Sequence, residues 1–153
     1  MPGVIRTRVG YCGGTTKNPT YEQIGDHTEA IQIDFDPKQV SYEQLLKAFA
    51  ASHNPCRTPY SRQYMSAIWH HNASQHTAAK SMLKAEEERR GEKLKTELAP
   101  LSEFTLAEDY HQKYYLQSNR LLKQHYRSIY ADLEAFINST AAARVNGYLG
   151  SNG

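Results

Sequence analysis

Glu29-Ala30-Ile31-Gln32-Ile33-Asp34-Phe35-Asp36-Pro37, closely followed by Ser41-Tyr42-Glu43-Gln44-Leu45-Leu46-Lys47-Ala48-Phe49, changes hydrophobic period partway along. In the first stretch Ile31, Ile33 and Phe35 alternate with Gln32 and Asp34, the period of two that a strand requires. Asp36-Pro37 ends it. Ser41 with Gln44 three residues on is a capping-box pattern. Tyr42, Leu45, Leu46 and Phe49 then share one stripe of a helix. A half-buried strand leading into an amphipathic helix sets the fold class as α+β.

Upstream, residues 4–11 are rich in β-formers and end at Cys12-Gly13-Gly14, a turn that draws on glycine's backbone freedom. Asn18-Pro19-Thr20 reads as loop. Downstream, His53-Asn54-Pro55 stops the helix, residues 56–63 are loop, and residues 64–70 hold a short strand. Ser74 opens a second helix with Ala78, Ala79, Met82 and Leu83 inward and Gly91 as its stop. Residues 94–107 alternate enough for one strand, or for two broken at Pro100. Residues 108–117 read as helical, as do segments around 121–130 and 133–143; residues 147–153 read as a flexible tail. Strands before, between and after helices imply one mixed, mainly antiparallel sheet in a single domain over residues 1–153.

Composition excludes several classes. Eighteen Lys and Arg against sixteen Asp and Glu leave +2 over 153 residues, too little to imply nucleic acid or anionic lipid as a partner. No apolar run approaches the length of a membrane span, and residues 1–14 lack the apolar core of a secretory signal. Two cysteines, Cys12 and Cys56, make no disulfide framework, so the expected setting is intracellular, cytoplasmic by default. His53, His70, His71 and His76 could suggest zinc, but adjacent strand histidines point to opposite faces. No cysteine or carboxylate completes a ligand set at metal spacing, so no metal is expected.

Glu29 is the residue with the most chemical interest. It shares strand parity with Ile31, Ile33 and Phe35, so its carboxyl group starts on the apolar face. A carboxyl group desolvated in this way holds its proton more tightly and can give a proton or hydrogen bond to a polar oxygen. Tyr21 and Tyr64 stand in loops, where phenol hydroxyls supply further donors and the rings shape an apolar pocket.

These residues sit within an ordered set of motifs. The set runs from Pro2-Gly3-Val4 through Gly10-Tyr11-Cys12-Gly13-Gly14, Asn18-Pro19-Thr20-Tyr21, His27-Thr28-Glu29-Ala30 and Gln63-Tyr64-Met65-Ser66. Ala107-Glu108-Asp109-Tyr110-His111-Gln112 and Asn146-Gly147-Tyr148-Leu149-Gly150 follow. In this order they resemble the methionine sulfoxide reductase A family (peptide-methionine (S)-S-oxide reductases), from Pro2 to Gly150. The resemblance implies a two-layer α/β roll around a split βαβ core. It also implies a reaction: a cysteine thiolate attacks the sulfoxide sulfur of methionine sulfoxide, free or in proteins, while a buried acid protonates the oxygen.

By the same resemblance Glu29 is the acid that binds the sulfoxide oxygen, and Tyr21 and Tyr64 bind beside it. His111, in a segment that lies near the site in the family, is a candidate for a structural or supporting role. The reductant is thioredoxin or another external thiol, with no cofactor, and the protein is expected to be a monomer. In the family the nucleophilic cysteine of a Gly-Cys-Phe-Trp motif lies just upstream of Pro-Gly-Val, with the first strand and its helix, whereas this sequence begins at Met1. The expectation is therefore an N-terminally truncated, inactive relative. Its alternative is a non-catalytic relative that binds oxidised methionine peptides. Residues 56–62 form a shorter loop than the family's and lack its aspartate. Leu149 stands where many members have a resolving cysteine, leaving Cys12, Cys56 or an external thiol as candidates for that step.

Overall fold

Strand β1 covers Val4–Cys12 and β2 covers Thr28–Phe35. They run antiparallel: Asp36 N–H donates to the carbonyl of Gly3 at 2.8 Å, while Gly14 and His27 meet at the opposite end. One residue number rises as its partner's falls. Strand β5, Phe104–Leu106, completes a three-stranded sheet in the order β2-β1-β5. The computed structural model describes residues 1–150, and these form two compact units. One comprises Met1–Gly10, Ala30–Gln39 and the chain from Leu106 onward; the other comprises Tyr11–Glu29 and Val40–Thr105.

The face of β2 differs from the sequence reading. Thr28 is only 1% exposed, whereas Glu29 is exposed and Ile31 is 58% exposed. Ile33 and Phe35 are half-buried. Parity correctly grouped Glu29 with Ile31, but that face opens to water at this end of the strand. Thr28 turns inward because its hydroxyl has a partner there, donating to the carbonyl of Arg62 at 3.0 Å.

In the second unit, helix α1 spans Tyr42–Ala51 and begins with the expected capping box: Ser41 N–H donates to Gln44 Oε1 at 2.8 Å, and Gln44 N–H to Ser41 Oγ at 3.3 Å. Strand β3 (Ala67–His70), helix α2 (Ala73–Arg90) and strand β4 (Glu97–Pro100) form a βαβ unit, paired in parallel from Ala67↔Glu97 to His70↔Pro100. Parallel strands need a crossover connection, and α2 supplies it. The described residues therefore form two sheets rather than one, with two separate strands in 97–106. Pro100 closes β4 as its last residue, where a missing N–H costs least. Tyr64 ends a 3-10 turn (Arg62–Tyr64) instead of opening the strand, which starts at Ala67. Asn72 caps α2, accepting from Gln75 N–H at 2.9 Å, so the helix starts one residue before Ser74. Gly91 ends it in the left-handed region at φ 65°. Leu46, Ile68 and Ala79 make the buried core of this unit, with Tyr42, Phe49, Ala78, Met82, Leu83 and Leu98 packed against them.

In the first unit, helices α3 (Tyr114–Ser118), α4 (Arg120–Ile129), α5 (Leu133–Asn138) and α6 (Thr140–Gly150) enclose Leu116, Tyr126, Phe136, Ile137 and Ala142. Fully burying one such large side chain contributes about 1.5–3 kcal/mol. Two helical expectations need correction here. Residues 109–113 are turns, because Gln112 is fully buried and used as a strand-like bridge. Its side-chain amide accepts from Val9 N–H at 3.1 Å and donates to the carbonyls of Val9 at 2.9 Å and Ala107 at 3.0 Å. Residues 133–143 are broken at Ser139, whose hydroxyl accepts from Ala142 N–H at 3.1 Å. Residues 147–150 of the expected flexible tail belong to α6; residues 151–153 lie outside the described residues.

Candidate active site

The site residues hang on the turn after β1, on the start of β2 and on the 3-10 turn at Arg62–Tyr64, all in the second unit. Gly13 adopts φ 77°, and a Cβ there would sit 2.2 Å from the Trp69 ring, so only glycine lets the turn lie on that indole. The next residues wrap one carboxylate. Asp26 accepts from Thr15 N–H at 2.8 and 2.9 Å, Thr16 N–H at 2.9 Å, and both threonine hydroxyls at 2.8 Å. These donors, the Thr16 backbone N–H foremost, hold the Asp26 carboxyl far below the usual range.

His27 is 5% exposed, and its partners fix its tautomer. Gly14 N–H donates to Nδ1 at 3.3 Å, so the proton is on Nε2, which donates to the carbonyl of Thr16 at 2.8 Å. Arg62 joins the two turns: Nη2 donates to the Gly13 carbonyl at 2.9 Å, Nε to the Asp26 carbonyl at 2.7 Å, and Nη1 lies 3.6 Å from Glu97.

On this frame the expected residues meet. The hydroxyls of Tyr21 and Tyr64 are 3.5 Å apart. Gln63 Nε2 donates to Glu29 Oε1 at 2.6 Å and to the Tyr64 hydroxyl oxygen at 3.1 Å. Tyr64's phenol is pushed up to about 12, first by its bond with Tyr21, then by desolvation and the Glu29 charge. It therefore stays a hydrogen-bond donor at neutral pH. Glu29, expected on a buried face, is exposed beside these phenols, as are Tyr21 (40%) and Tyr64 (53%). The cluster presents phenol donors and a carboxyl group on open surface.

The remaining candidates lie elsewhere in the chain. Cys12 is fully buried and desolvation pushes its thiol up to about 12. Cys56 is also buried, its thiol raised by desolvation and by Glu92. His111 belongs to the first unit, with its ring against Tyr110 at 4.3 Å. His53 is occupied: its Nδ1 meets the carbonyl of Phe49 at 3.0 Å and its Nε2 meets Ser66 Oγ at 2.7 Å. Among the described residues no group of three or more His, Cys, Asp or Glu is placed to hold a metal ion. None of the described helices is long and apolar enough to cross a membrane. A cavity of about 380 Å³ in the first unit is lined by Phe35, Asp36, Thr140 and Arg144 among others, none of them a candidate residue.

Arg62 and Gln63 were not singled out by sequence reasoning. Arg62 bonds two backbone carbonyls, which leave no mark in side-chain patterns. Gln63 was visible only as the first letter of its motif.

Residues 1–144 match the family described as peptide methionine sulfoxide reductase. A peptide methionine sulfoxide reductase of Drosophila melanogaster is 41% identical over 153 residues, 99% of this chain and 61% of its own length. One from Methanosarcina acetivorans is 43% identical over 127 residues, 75% of this chain and 67% of its length. The chain thus spans about three fifths of the Drosophila relative. Among solved structures, methionine sulfoxide reductase A of Corynebacterium diphtheriae superposes with a TM-score of 0.69 at 32% identity, covering 79% of this chain and 66% of that one. The motif order, the match through residues 1–144 and the shared mixed α/β fold lead to one assignment: the chain belongs to the peptide methionine sulfoxide reductase family.

Proposed function

We propose that this chain carries the sulfoxide-binding site of a peptide-methionine (S)-S-oxide reductase. Tyr21 and Tyr64 donate hydrogen bonds to the sulfoxide oxygen, and Glu29 delivers the proton that oxygen takes up. The observation that supports this most directly is the convergence of Glu29, Gln63, Tyr64 and Tyr21 in one hydrogen-bonded cluster. A sulfoxide oxygen accepts hydrogen bonds and cannot donate them, so a patch of phenol donors suits it.

In the reaction a thiolate attacks the sulfoxide sulfur, the oxygen is protonated, and methionine leaves as the thiol becomes a sulfenic acid. A second thiol, from a thioredoxin-like reductant, condenses with the sulfenic acid to form a disulfide and water. Neither Cys12 nor Cys56 suits the attacking role, because both thiols are held protonated by burial. The family resemblance implies another nucleophile, the cysteine of a Gly-Cys-Phe-Trp segment, to which we assign that role.

Turnover of methionine (S)-sulfoxide tests this in a chain carrying that segment ahead of Pro2. Glu29→Gln lowers kcat by about 10²-fold, as losing a general acid does. Tyr21→Phe lowers it by the worth of one hydrogen bond, about fivefold. An unchanged rate in Glu29→Gln removes the acid from this site and the proposal with it.

A further inference from the structure

Gln63 has no role in the reaction as proposed, yet its amide nitrogen is bonded to both Glu29 and Tyr64. We infer that Gln63 is a positioning residue that makes the site selective for an oxidised sulfur over a thioether, by forcing the Tyr64 hydroxyl to act as a donor. This inference rests on the sulfoxide-binding reading of the same cluster.

The argument is one of hydrogen-bond direction. A side-chain amide nitrogen carries two hydrogens and no acceptor capacity. Gln63 Nε2 spends one hydrogen on Glu29 Oε1 at 2.6 Å and the other on the Tyr64 oxygen at 3.1 Å. The reversed amide would set its carbonyl oxygen 2.6 Å from Glu29 Oε1, two acceptor oxygens with no hydrogen between them. Glu29 Oε1, which accepts while the proton that Glu29 delivers sits on Oε2, therefore fixes which way the amide points. With a lone pair occupied by Gln63, Tyr64 has its own proton left to give, either to Tyr21 at 3.5 Å or to a bound ligand.

A ligand oxygen with only lone pairs fits that arrangement, and a thioether offers no oxygen to receive the proton. The enzyme's substrate and product differ by that single atom. Gln63 thus separates methionine sulfoxide from methionine without touching either. Three further hydrogen bonds hold it in register. The neighbouring Arg62 is bonded to the carbonyls of Gly13 and Asp26, and the Arg62 carbonyl accepts from Thr28.

Binding of N-acetyl-methionine (S)-sulfoxide and of N-acetyl-methionine to the 153-residue chain, followed by NMR titration, tests this directly. Wild type binds the sulfoxide more tightly. Gln63→Met keeps the length of the side chain and removes both donors. The ratio of the two affinities falls about five- to tenfold, the worth of one or two hydrogen bonds, through weaker sulfoxide binding alone. Gln63→Glu loses the same ratio at neutral pH and regains part of it as pH falls and the acid form can donate again, a profile that a merely structural role would not produce. Tyr64, identified in a tyrosine ¹³Cζ spectrum by the signal lost in Tyr64→Phe, shifts in both variants. An unchanged ratio in folded Gln63→Met overturns the inference, as does a flat pH profile in Gln63→Glu. Wild type binding both compounds equally instead overturns the sulfoxide-binding reading itself.

Discussion

Lys113 offers a prediction with a calculable size. Its side chain is buried, 4% exposed, and the residue adopts the left-handed φ of 51° just ahead of α3. The Nζ donates to the Thr7 carbonyl and, at 3.1 Å, to Thr7 Oγ1. Burial first, and repulsion from Arg8 second, push its pKa from 10.5 down to about 8. That gap is equivalent to about 3 kcal/mol. The folded chain thus releases the proton near pH 8 and the unfolded chain only near 10.5. Below pH 8 both are charged and the folded state carries the full penalty. Between the two values the unfolded state binds more protons, so stability rises with pH.

Nothing in the native contacts is lost when the proton leaves, since a neutral amine still has two hydrogens for its two acceptors. Lys113→Met fills the same volume and does not titrate. Urea melts of both proteins at pH 7, 8, 9 and 10 should show wild type gaining about 2.5 kcal/mol on the variant over that range. Titration of every other group is common to both proteins and cancels in the difference. Parallel curves, with a constant difference from pH 7 to 10, would refute the claim that Lys113 is desolvated in the folded chain.

Two further expectations follow from the second unit. Cys12 should react with iodoacetamide at pH 7.5 at least about 100-fold more slowly in the native chain than in urea, since burial pushes its thiol up to about 12, and Cys56 should also be slowed. Peptide mass spectrometry reads each site separately, and fast native labelling of Cys12 would make it a candidate nucleophile after all. Gly13→Ala should lower the urea midpoint, with a loss of about 1–3 kcal/mol, because alanine at φ 77° is strained and its Cβ meets the Trp69 ring. An unchanged midpoint would mean that the turn and the indole separate without cost.

Local order was legible because local chemistry dictates it. The capping box at Ser41 and Gln44, the apolar stripe of α1, the inward residues of α2 and the stop at Gly91 each depend on neighbours within one helix. The motifs carrying Tyr21, Glu29 and Tyr64 were readable for the same reason, as short runs of fixed spacing. What lay beyond the sequence was whatever distant partners decide. Alternation groups Glu29 with Ile31 but cannot say which face is buried; Thr28's bond to the Arg62 carbonyl turns the opposite face inward. Residues 108–113 carry a helical pattern, yet Gln112 is drawn into the edge of β1 more than a hundred residues away and the helix gives way. The Glu29–Gln63–Tyr64–Tyr21 cluster spans three segments, aligned by Arg62 through backbone carbonyls that no side-chain pattern records. Periodicity fixes which residues share a face, whereas burial and hydrogen-bond direction depend on which distant groups arrive to meet them.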